Sequence, residues 1–286
     1  MKSLLLVAAA TLGGLLLALA ASDGGQRLGG GLPLMLLLVL IAYVVNWVVY
    51  VPSYRAQTER FFDLTGSLTF QLVAVLALVL VDDRDARSWV LAAMVLVWAL
   101  RLGIFLFRRV SKAGKDGRFD ELKKDWRRFL VVWTTQGLWV TFTAGAALAA
   151  ITSGDREPLG VLGYAGILVW LAGIGFESVA DAQKSAFKAD PANEGEFIRT
   201  GLWSISRHPN YVGEILLWTG VALVAVAPLS GWQHVTLVSP VLIYLLLRFG
   251  SGVPALERRA DERWGDREDY QAYKASTPVL FPFGAR

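Results

Sequence analysis

Cysteine is missing from this chain of 286 residues, and only two histidines, His208 and His234, are present. The absence of cysteine excludes disulfide bonds, thiolate metal sites, iron–sulfur clusters and cysteine nucleophiles. Charged residues are also scarce, since they make up 18% of the chain, whereas a soluble domain has about a quarter. The 55% of hydrophobic residues and the mean hydropathy of +0.47 indicate that lipid surrounds much of the protein.

Eight apolar runs approach the length of about 20 residues that a helix needs to cross a bilayer. They cover residues 4–21, 32–51, 64–81, 88–107, 129–151, 158–179, 211–228 and 232–249. Residues 1–21 fit either a first helix or a cleavable signal segment, because a charged start precedes an apolar stretch and small residues. The sequence therefore predicts an all-α, polytopic integral membrane bundle of seven to eight transmembrane helices, with residues 1–286 in a single membrane domain.

Basic residues are concentrated in alternate connections between these runs. The segment 108–128 holds nine Lys and Arg residues, whereas 82–87 is net acidic and 228–233 is uncharged. Because cytoplasmic loops of membrane proteins carry the excess of Lys and Arg, we expect 52–63, 108–128 and 181–209 to lie in the cytoplasm together with the C-terminus. The predicted location is an inner or plasma membrane, with a basic cytoplasmic loop at 108–128.

The segment GLWSISRHPNYVGE at residues 201–214 concentrates polar chemistry at one predicted helix start. Pro209 suits the first turn of a helix, and Ser206 is placed to cap that turn. We expect free backbone N–H groups to coincide there with the side chains of Arg207 and His208. This combination favours the binding of an anion such as a phosphate or a carboxylate.

Charged residues also occur within the apolar runs, where they are costly. Glu177 lies near the end of the sixth run and shares one predicted helical face with Asp181, Lys184 and Lys188 beyond it. These four residues form either a solvated helix end with local ion pairs or a polar strip that leads from the membrane surface into the bundle. Arg101 lies seven residues before Arg108, which is about 10 Å deeper in the membrane at about 1.5 Å per residue. A charge at that depth needs a partner or a wet cavity, and it often marks a functional pathway.

The segment 201–214 resembles the C-terminal signature of the steroid 5-alpha-reductase superfamily, and is most similar to its bacterial branch, the DUF1295 family of membrane proteins. The similarity covers residues 176–283 through the stretches FESVADAQK, FIRTGLW and EDYQAY and the ending TPVLFP. It extends to RLGIFLFRRVSKAGKDGRFDELK at 101–123 and to ERFFDLTGSLTF at 59–70. The resemblance implies that residues 176–286 form a cofactor-binding region.

Members of the superfamily with known activity use NADPH to reduce a carbon–carbon double bond conjugated to a carbonyl group. The resemblance therefore implies a membrane reductase in lipid metabolism that binds NADPH from the cytoplasm and acts on an apolar, lipid-like or steroid-like molecule. We expect the lipid bilayer as a partner, and neither a metal nor a nucleic acid. The residues implied to bind the cofactor are Arg101, Arg109, Arg118, Glu177, Asp181, Lys184, Lys188, Arg199, Trp203, Arg207, His208, Asn210, Tyr211, Glu214 and Tyr270.

The predicted substrate end departs from the family pattern. Steroid reductases hold the ketone with a Gln–Glu pair on an early helix and with a Tyr on a later helix. Here the early segment reads FFDL, so that Asp63 is the nearest equivalent of the Glu, with Glu59 nearby. Trp98 falls near the Tyr position, and its N–H can donate a hydrogen bond but not transfer a proton. Asp63, Glu59 and Trp98 are therefore the candidate catalytic residues.

Other interpretations stay open. Isoprenylcysteine carboxyl methyltransferases also carry R-H-P-x-Y-x-G at a helix start and bind S-adenosylmethionine, although Asn210, Glu214 and the pattern E-x-x-x-D-x-Q-K at 177–184 favour the reductase. A further alternative is a membrane scaffold or small-molecule binder without enzymatic activity. A haem protein is disfavoured, because His208 is predicted on the cytoplasmic side and His234 near the opposite face.

Overall fold

The computed structural model describes residues 1–113, 117–250 and 252–281, and the side chains at 109–113 and 118 lie outside this description. The described residues are mostly helical, with one two-stranded antiparallel ribbon of β1 (Arg27–Leu28) and β2 (Leu32–Pro33). The helices are α1 (Lys2–Ala21), α2 (Leu34–Arg55), α3 (Phe62–Leu80), α4 (Ala86–Ala113), α5 (Trp126–Thr152), α6 (Gly160–Ala189), α7 (Pro209–Ala225), α8 (Ser239–Phe249), α9 (Val253–Trp264) and α10 (Glu268–Ser276). Short 3-10 helices cover Gly117–Phe119, Pro191–Asn193, Gly201–Ser204 and Gly231–Val238.

Six helical stretches within the described residues are long and apolar enough to cross a membrane. They are Lys2–Ala21, Leu34–Arg55, Phe62–Leu80, Ala86–Arg108, Gly160–Ala189 and Gly231–Trp264. These stretches expose large apolar side chains such as Leu5, Val48 and Leu168, as expected of a surface covered by lipid. The all-α fold and the apolar spans of an integral membrane protein are thus confirmed. The count of seven to eight spans stays a prediction, because it requires α5 and α7 as well.

The chain forms two compact units. That residues 1–286 make up a single membrane domain stays a prediction. The first comprises Met1–Tyr164 and Val221–Ser239, and the second comprises Ala165–Gly220 and Pro240–Arg286. Helix α5 is central in the first unit, where it contacts α1, α2, α3, α4 and the 3-10 helix Gly231–Val238. Every residue from Thr143 to Thr152 is buried, and most are small, which lets the surrounding helices approach closely. Protein therefore surrounds this part of α5.

Connections that are poor in basic residues meet at one end of the first unit, and connections that are rich in basic residues meet at the other end. At one end, the backbone N–H of Gln26 donates to the carbonyl oxygen of Thr152 at 2.8 Å, and the side chain of Gln26 accepts from the N–H of Asp82 at 2.9 Å. At the other end, the hydroxyl of Tyr50 donates to the carbonyl oxygen of Trp126 at 2.9 Å. Alternate connections thus meet at the same end, as the charge pattern predicts, and the membrane face of each end stays a prediction.

Arginine side chains cap the carboxyl ends of three helices at the first of these ends. Arg84 donates to carbonyl oxygens of α3, Arg156 to those of α5, and Arg87 to that of Val224 near the end of α7. The last carbonyl groups of a helix have no partner within the helix and carry partial negative charge, so that a guanidinium group satisfies them well. Helix capping therefore explains why arginine occurs in connections that are poor in basic residues.

Candidate functional site

The turn at the start of the predicted site is bound to helix α6 within the second unit. Gly201 adopts a φ of +61°, a backbone conformation that favours glycine. The side-chain oxygen of Gln183 accepts a hydrogen bond from the N–H of Leu202 at 2.9 Å. The indole N–H of Trp203 donates to the carbonyl oxygen of Ala180 at 3.1 Å. These bonds fix the turn on α6 and place the residues that follow it.

Helix α7 begins at Pro209, as the sequence predicts, and Ser206 caps the preceding turn. The Ser206 hydroxyl oxygen accepts a hydrogen bond from the backbone N–H of His208 at 3.3 Å. The backbone N–H of Arg207 donates to the carbonyl oxygen of Pro278 at 2.9 Å. The backbone N–H groups of Arg207 and His208, which precede α7, are therefore bound within the protein. The free N–H groups expected in the first turn of α7 itself stay a prediction.

Helices α6 and α7 pack closely at glycine residues. A Cβ at Gly213 would lie 2.5 Å from the backbone nitrogen of Glu177, and one at Gly173 would meet the backbone of Leu217. Glycine at both positions lets the two backbones touch, as in many close helix pairs of membrane proteins. Glu177 and Asp181 are buried, and the glycine contact places Glu177 beside the first turns of α7.

The four charged residues of α6 become more exposed toward the carboxyl end of the helix. Glu177 and Asp181 are buried, Lys184 is half-buried, and Lys188 is exposed. The ammonium group of Lys184 lies 4.3 Å from the ring centroid of Trp203, within the range of a cation–π interaction. The polar strip that the spacing predicts is thus present on one helix of the second unit.

One carboxylate binds both basic residues of the motif. Oε2 of Glu257 lies 2.9 Å from Nη1 of Arg207, and Oε1 lies 2.8 Å from Nε2 of His208. The buried imidazole of His208 also stacks on Tyr211, with ring centroids 5.6 Å apart. Burial lowers the pKa of His208 below its usual value, and the hydrogen bond with Glu257 offsets only part of this effect. His208 is therefore mainly neutral near pH 7.

The other predicted residues of the second unit lie in different surroundings. Asn210 and Glu214 follow each other by one turn of α7, and both are half-buried. Arg199 is about half exposed and pairs with Asp269 at 3.2 Å. Tyr270 is buried among aromatic rings of the same unit. Arg199 and Tyr270 therefore have structural partners of their own.

The candidate catalytic residues belong to the first unit. Glu59 is buried and forms an ion pair with Lys123 at 2.7 Å. This contact raises the pKa of Lys123, chiefly through the hydrogen bond with Glu59. Asp63 lies half-buried in the first turn of α3. Trp98 is buried in α4, and its ring meets that of Phe70 edge to face at 5.0 Å. Glu59 thus has an ion-pair partner, and Trp98 packs against an aromatic ring. Their catalytic roles stay predictions.

Three arginines of the predicted cofactor-binding set belong to the first unit. Arg101 is half-buried within α4. The side chains of Arg109 and Arg118 lie outside the described residues. Among the side chains that are described, no group of three or more His, Asp or Glu could hold a metal ion. The described cations near the motif include Arg207, Lys184 and Lys274, with Lys188 and Arg199 more exposed.

Two residues of the site are missing from the sequence-based candidates. The hydroxyl of Tyr273 donates to the carbonyl oxygen of Trp203 at 2.6 Å, and Glu257 binds His208. Tyr273 follows Tyr270 by three residues and shares its helical face, so that the EDYQAY stretch contained a usable signal. Glu257 is separated from His208 by 49 positions in the chain, and no local spacing reveals a contact that only the tertiary fold creates.

Comparison with known proteins bears on the family of the chain. No solved structure matches it. A probable O-methyltransferase, ustE, of Ustilaginoidea virens is 28% identical over 131 residues, which cover 44% of this chain and 44% of that protein. The chain thus spans less than half the length of that curated relative. The family model described as "Protein of unknown function (DUF1295)" matches residues 48–277. The chain therefore belongs to the DUF1295 family, which is associated with the steroid 5-alpha-reductase superfamily.

Proposed function

We propose that the protein is a membrane oxidoreductase that uses NADPH to reduce a carbon–carbon double bond conjugated to a carbonyl group in a lipid-like or steroid-like molecule. Membership of the DUF1295 family supports an enzyme of this superfamily. The observation that carries the proposal is the pair of cations beside the start of α7: Arg207 immediately precedes the helix, and Lys184 of α6 lies 4.3 Å from the ring of Trp203 just before it. Two cations at one helix start suit a ligand with several phosphates.

The side chains at this helix start fit a cofactor that bears phosphate groups. The Nε atom of Arg207 is buried and has no hydrogen-bond partner among the described residues, although Nη1 of the same group is bound by Glu257. A buried N–H without an acceptor is costly, and an anionic oxygen from a ligand removes that cost. Lys184 supplies a second cation. The exposed cations Lys188 and Arg199 are proposed to meet the 2′-phosphate.

Polar groups of α6 and α7 are suited to orient the uncharged parts of the cofactor. The carboxylates of Glu177 and Asp181 accept hydrogen bonds from hydroxyl or amide groups, and Asn210 both donates and accepts. Trp203, Tyr211, Glu214 and Tyr270 complete the proposed binding set. When bound, NADPH supplies the hydride for the reduction. The chain's own residues bind the cofactor, orient it and exclude water.

The proposed substrate end uses Asp63. We assign to its carboxyl group the polarisation or protonation of the substrate's carbonyl oxygen, and to Arg101 the compensation of charge within the apolar span. Glu59 has a competing role, because it binds Lys123 and so fixes the segment before α5. Trp98 is limited to donating a hydrogen bond. Asp63 is therefore the residue on which the proposed chemistry depends most.

Binding to the purified, detergent-solubilised protein tests the proposal. We expect saturating NADPH to raise the unfolding temperature and NADH to raise it less, because only NADPH carries the 2′-phosphate. Arg207→Met should weaken NADPH binding by about 10- to 100-fold, as the loss of a hydrogen bond to a charged group predicts. Arg258→Met, at an exposed position of α9, is the matched control and should bind normally. The absence of any thermal shift with NADPH or NADP⁺ would exclude the proposed function.

A methyltransferase is the second candidate, and the similarity to the probable O-methyltransferase of Ustilaginoidea virens favours it. S-adenosylmethionine carries no phosphate groups, so that it would use the carboxylates Glu177 and Asp181 more than the cations of the site. Under this alternative, S-adenosylmethionine raises the unfolding temperature and NADPH does not. Lys184→Met would then leave cofactor binding nearly unchanged, whereas it should weaken NADPH binding under the first proposal.

A further inference from the structure

Glu257 lies between the two basic residues of the motif and has a separate contact with each. Its Oε2 is 2.9 Å from Nη1 of Arg207, and its Oε1 is 2.8 Å from Nε2 of His208. The side chains are only 20%, 12% and 6% exposed for Glu257, Arg207 and His208. In such low-dielectric surroundings a charge-assisted hydrogen bond is strong and directional, so that one carboxylate fixes the orientation of both partners.

Charged groups from two helices and from the turn before α7 affect the pKa of His208. Lys184 on α6 and the neighbouring Arg207 oppose its protonation, and Glu257 on α9 favours it. The charge of Lys274 on α10 in turn lowers the pKa of Glu257. Burial has the largest effect, and the pKa of His208 is lowered as a result. The ring therefore stays neutral beside an ionised carboxylate.

A neutral histidine has one N–H donor and one acceptor nitrogen, and its neighbours decide which nitrogen is which. An ionised carboxylate only accepts, so that the proton of His208 belongs on Nε2, which faces Glu257. Nδ1 is then the acceptor. The ring stacks on Tyr211 with an angle of 15° between the planes, which further restricts its rotation. The geometry thus defines both the tautomer and the ring orientation.

We propose that Glu257 is a positioning residue: it orients the guanidinium group of Arg207 with Nε directed toward a ligand, and it holds His208 with the proton on Nε2 and with Nδ1 as an acceptor. The ligand class that matches these two groups is an anion, a phosphate or a carboxylate, that also presents a hydroxyl or amide donor. Identification of this ligand as NADPH rests on the proposed function, whereas the orientation of the two side chains does not.

Imidazole NMR of the full-length protein tests the tautomer directly. The chain contains two histidines, so that ¹⁵N-histidine labelling in detergent micelles gives two imidazole spin systems. His234→Gln removes the exposed one and assigns the other to His208. We expect nitrogen shifts of a neutral ring with a protonated Nε2 and a bare Nδ1 at pH 7. A protonated Nδ1 with a bare Nε2, or a charged ring at that pH, overturns the proposal without the need for any variant at Glu257.

Variants of Glu257 test the cause. Glu257→Gln removes the charge and offers an NH₂ donor to Nε2, so that we expect the Nδ1-protonated tautomer to appear and the pKa of His208 to fall further. Glu257→Asp keeps the charge on a shorter side chain and should retain part of the Nε2-protonated form. Glu262→Gln, at an exposed position of the same helix, is the matched control. Identical His208 spectra in the Glu257→Gln and Glu262→Gln variants overturn the proposal.

Ligand binding separates this proposal from the proposed function. With NADPH as the probe, we expect Glu257→Gln to raise the dissociation constant about tenfold or more, as the loss of a buried charged partner predicts. Glu262→Gln should leave it unchanged. If the His208 spectra respond as expected but no variant, including the natural sequence, binds NADPH, the positioning role stands and the proposed function fails. If NADPH binds equally well to all variants, the positioning role fails and the proposed function stands.

Discussion

The backbone nitrogen of Glu177 lies only 2.5 Å from the position that a Cβ would occupy at Gly213. Helices α6 and α7 therefore meet backbone to backbone beside the candidate site. This contact determines how far the buried carboxylate of Glu177 lies from the first turns of α7, where Asn210 and Glu214 are located. A single glycine thus connects helix packing to the arrangement of the polar groups that are proposed to bind a cofactor.

Gly213→Ala is expected to separate the two helices and to disturb the site. Overpacking of a close contact costs about 1–3 kcal/mol. The backbone of Glu177 cannot give way as a flexible side chain would, so that we expect a cost in the upper part of that range. The variant should show a lower unfolding temperature in detergent and weaker NADPH binding.

Gly175→Ala is the matched control for this prediction. Gly175 lies on the same helix as Glu177, it is exposed, and no heavy atom lies within 4 Å of its added Cβ. Alanine is favoured over glycine in a helix by about 1 kcal/mol, so that this variant should be neutral or slightly more stable. Equal behaviour of the two alanine variants would contradict the close contact at Gly213.

The sequence predicts the helices well because membrane-spanning helices have a simple sequence requirement. A span needs a long apolar run, and such runs appear in the structure as α1 to α7 and as the stretch that contains α8. Helix α7 likewise begins at Pro209, as its sequence predicts, whereas the hydroxyl of Ser206 binds the N–H of His208 just before the helix. The alternation of basic and acidic connections correctly groups the loop ends of the first unit.

The tertiary partners of the site residues could not be predicted in this way. The backbone N–H of Arg207 donates to the carbonyl oxygen of Pro278, a contact with the C-terminal segment that no local spacing indicates. Glu257 and Lys123 belong to polar stretches whose composition suggests only a solvated surface. They become specific partners because the fold places them against His208 and Glu59. No periodicity in the sequence encodes such contacts, whereas the helix spacing of 177–188 does place its charges on one face.

Removal of the buried ion pair between Glu59 and Lys123 should destabilise the protein through a measurable coupling. The pair is 2.7 Å apart and its side chains are 4% and 17% exposed. We expect the double-mutant cycle of Glu59→Gln and Lys123→Met to give a coupling of about 1–3 kcal/mol, because partly buried partners in direct contact are strongly coupled. Thermal or denaturant unfolding of the four proteins measures it.

The neighbouring pair of Glu121 and Lys124 provides the matched control for this cycle. It is also in contact, but its side chains are 75% and 65% exposed. The same cycle with Glu121→Gln and Lys124→Met should give only about 0–0.5 kcal/mol, because water screens exposed ion pairs. A coupling of equal size in both cycles would show that Glu59 and Lys123 are not buried together.

Arg87→Met should destabilise the first unit much more than a surface arginine substitution. The guanidinium group of Arg87 is buried and donates to the carbonyl oxygens of Glu157, Pro158 and Val224. Its loss leaves these buried acceptors without their donor, at a cost of about 2–4 kcal/mol. Arg27→Met is the control, because Arg27 makes an exposed hydrogen bond to Gly31 and its loss should cost about 0–0.5 kcal/mol. Similar unfolding temperatures for the two variants would contradict the capping role of Arg87.

The lowered pKa of His208 should make stability depend on pH in one direction. Burial keeps its pKa in the folded protein below the value of about 6.5 for an ordinary histidine. As pH falls, the unfolded chain therefore takes up this proton first, and the folded state loses stability below about pH 6.5 and down through the folded pKa. Above that window the contribution of His208 is fully present.

Unfolding temperatures measured between about pH 7.5 and 5 should decline in this window for the natural sequence and for His234→Gln, and less steeply for His208→Gln. The slopes are compared and not the absolute temperatures, so that a general loss of stability in His208→Gln does not affect the result, and an unchanged slope in that variant would contradict the lowered pKa.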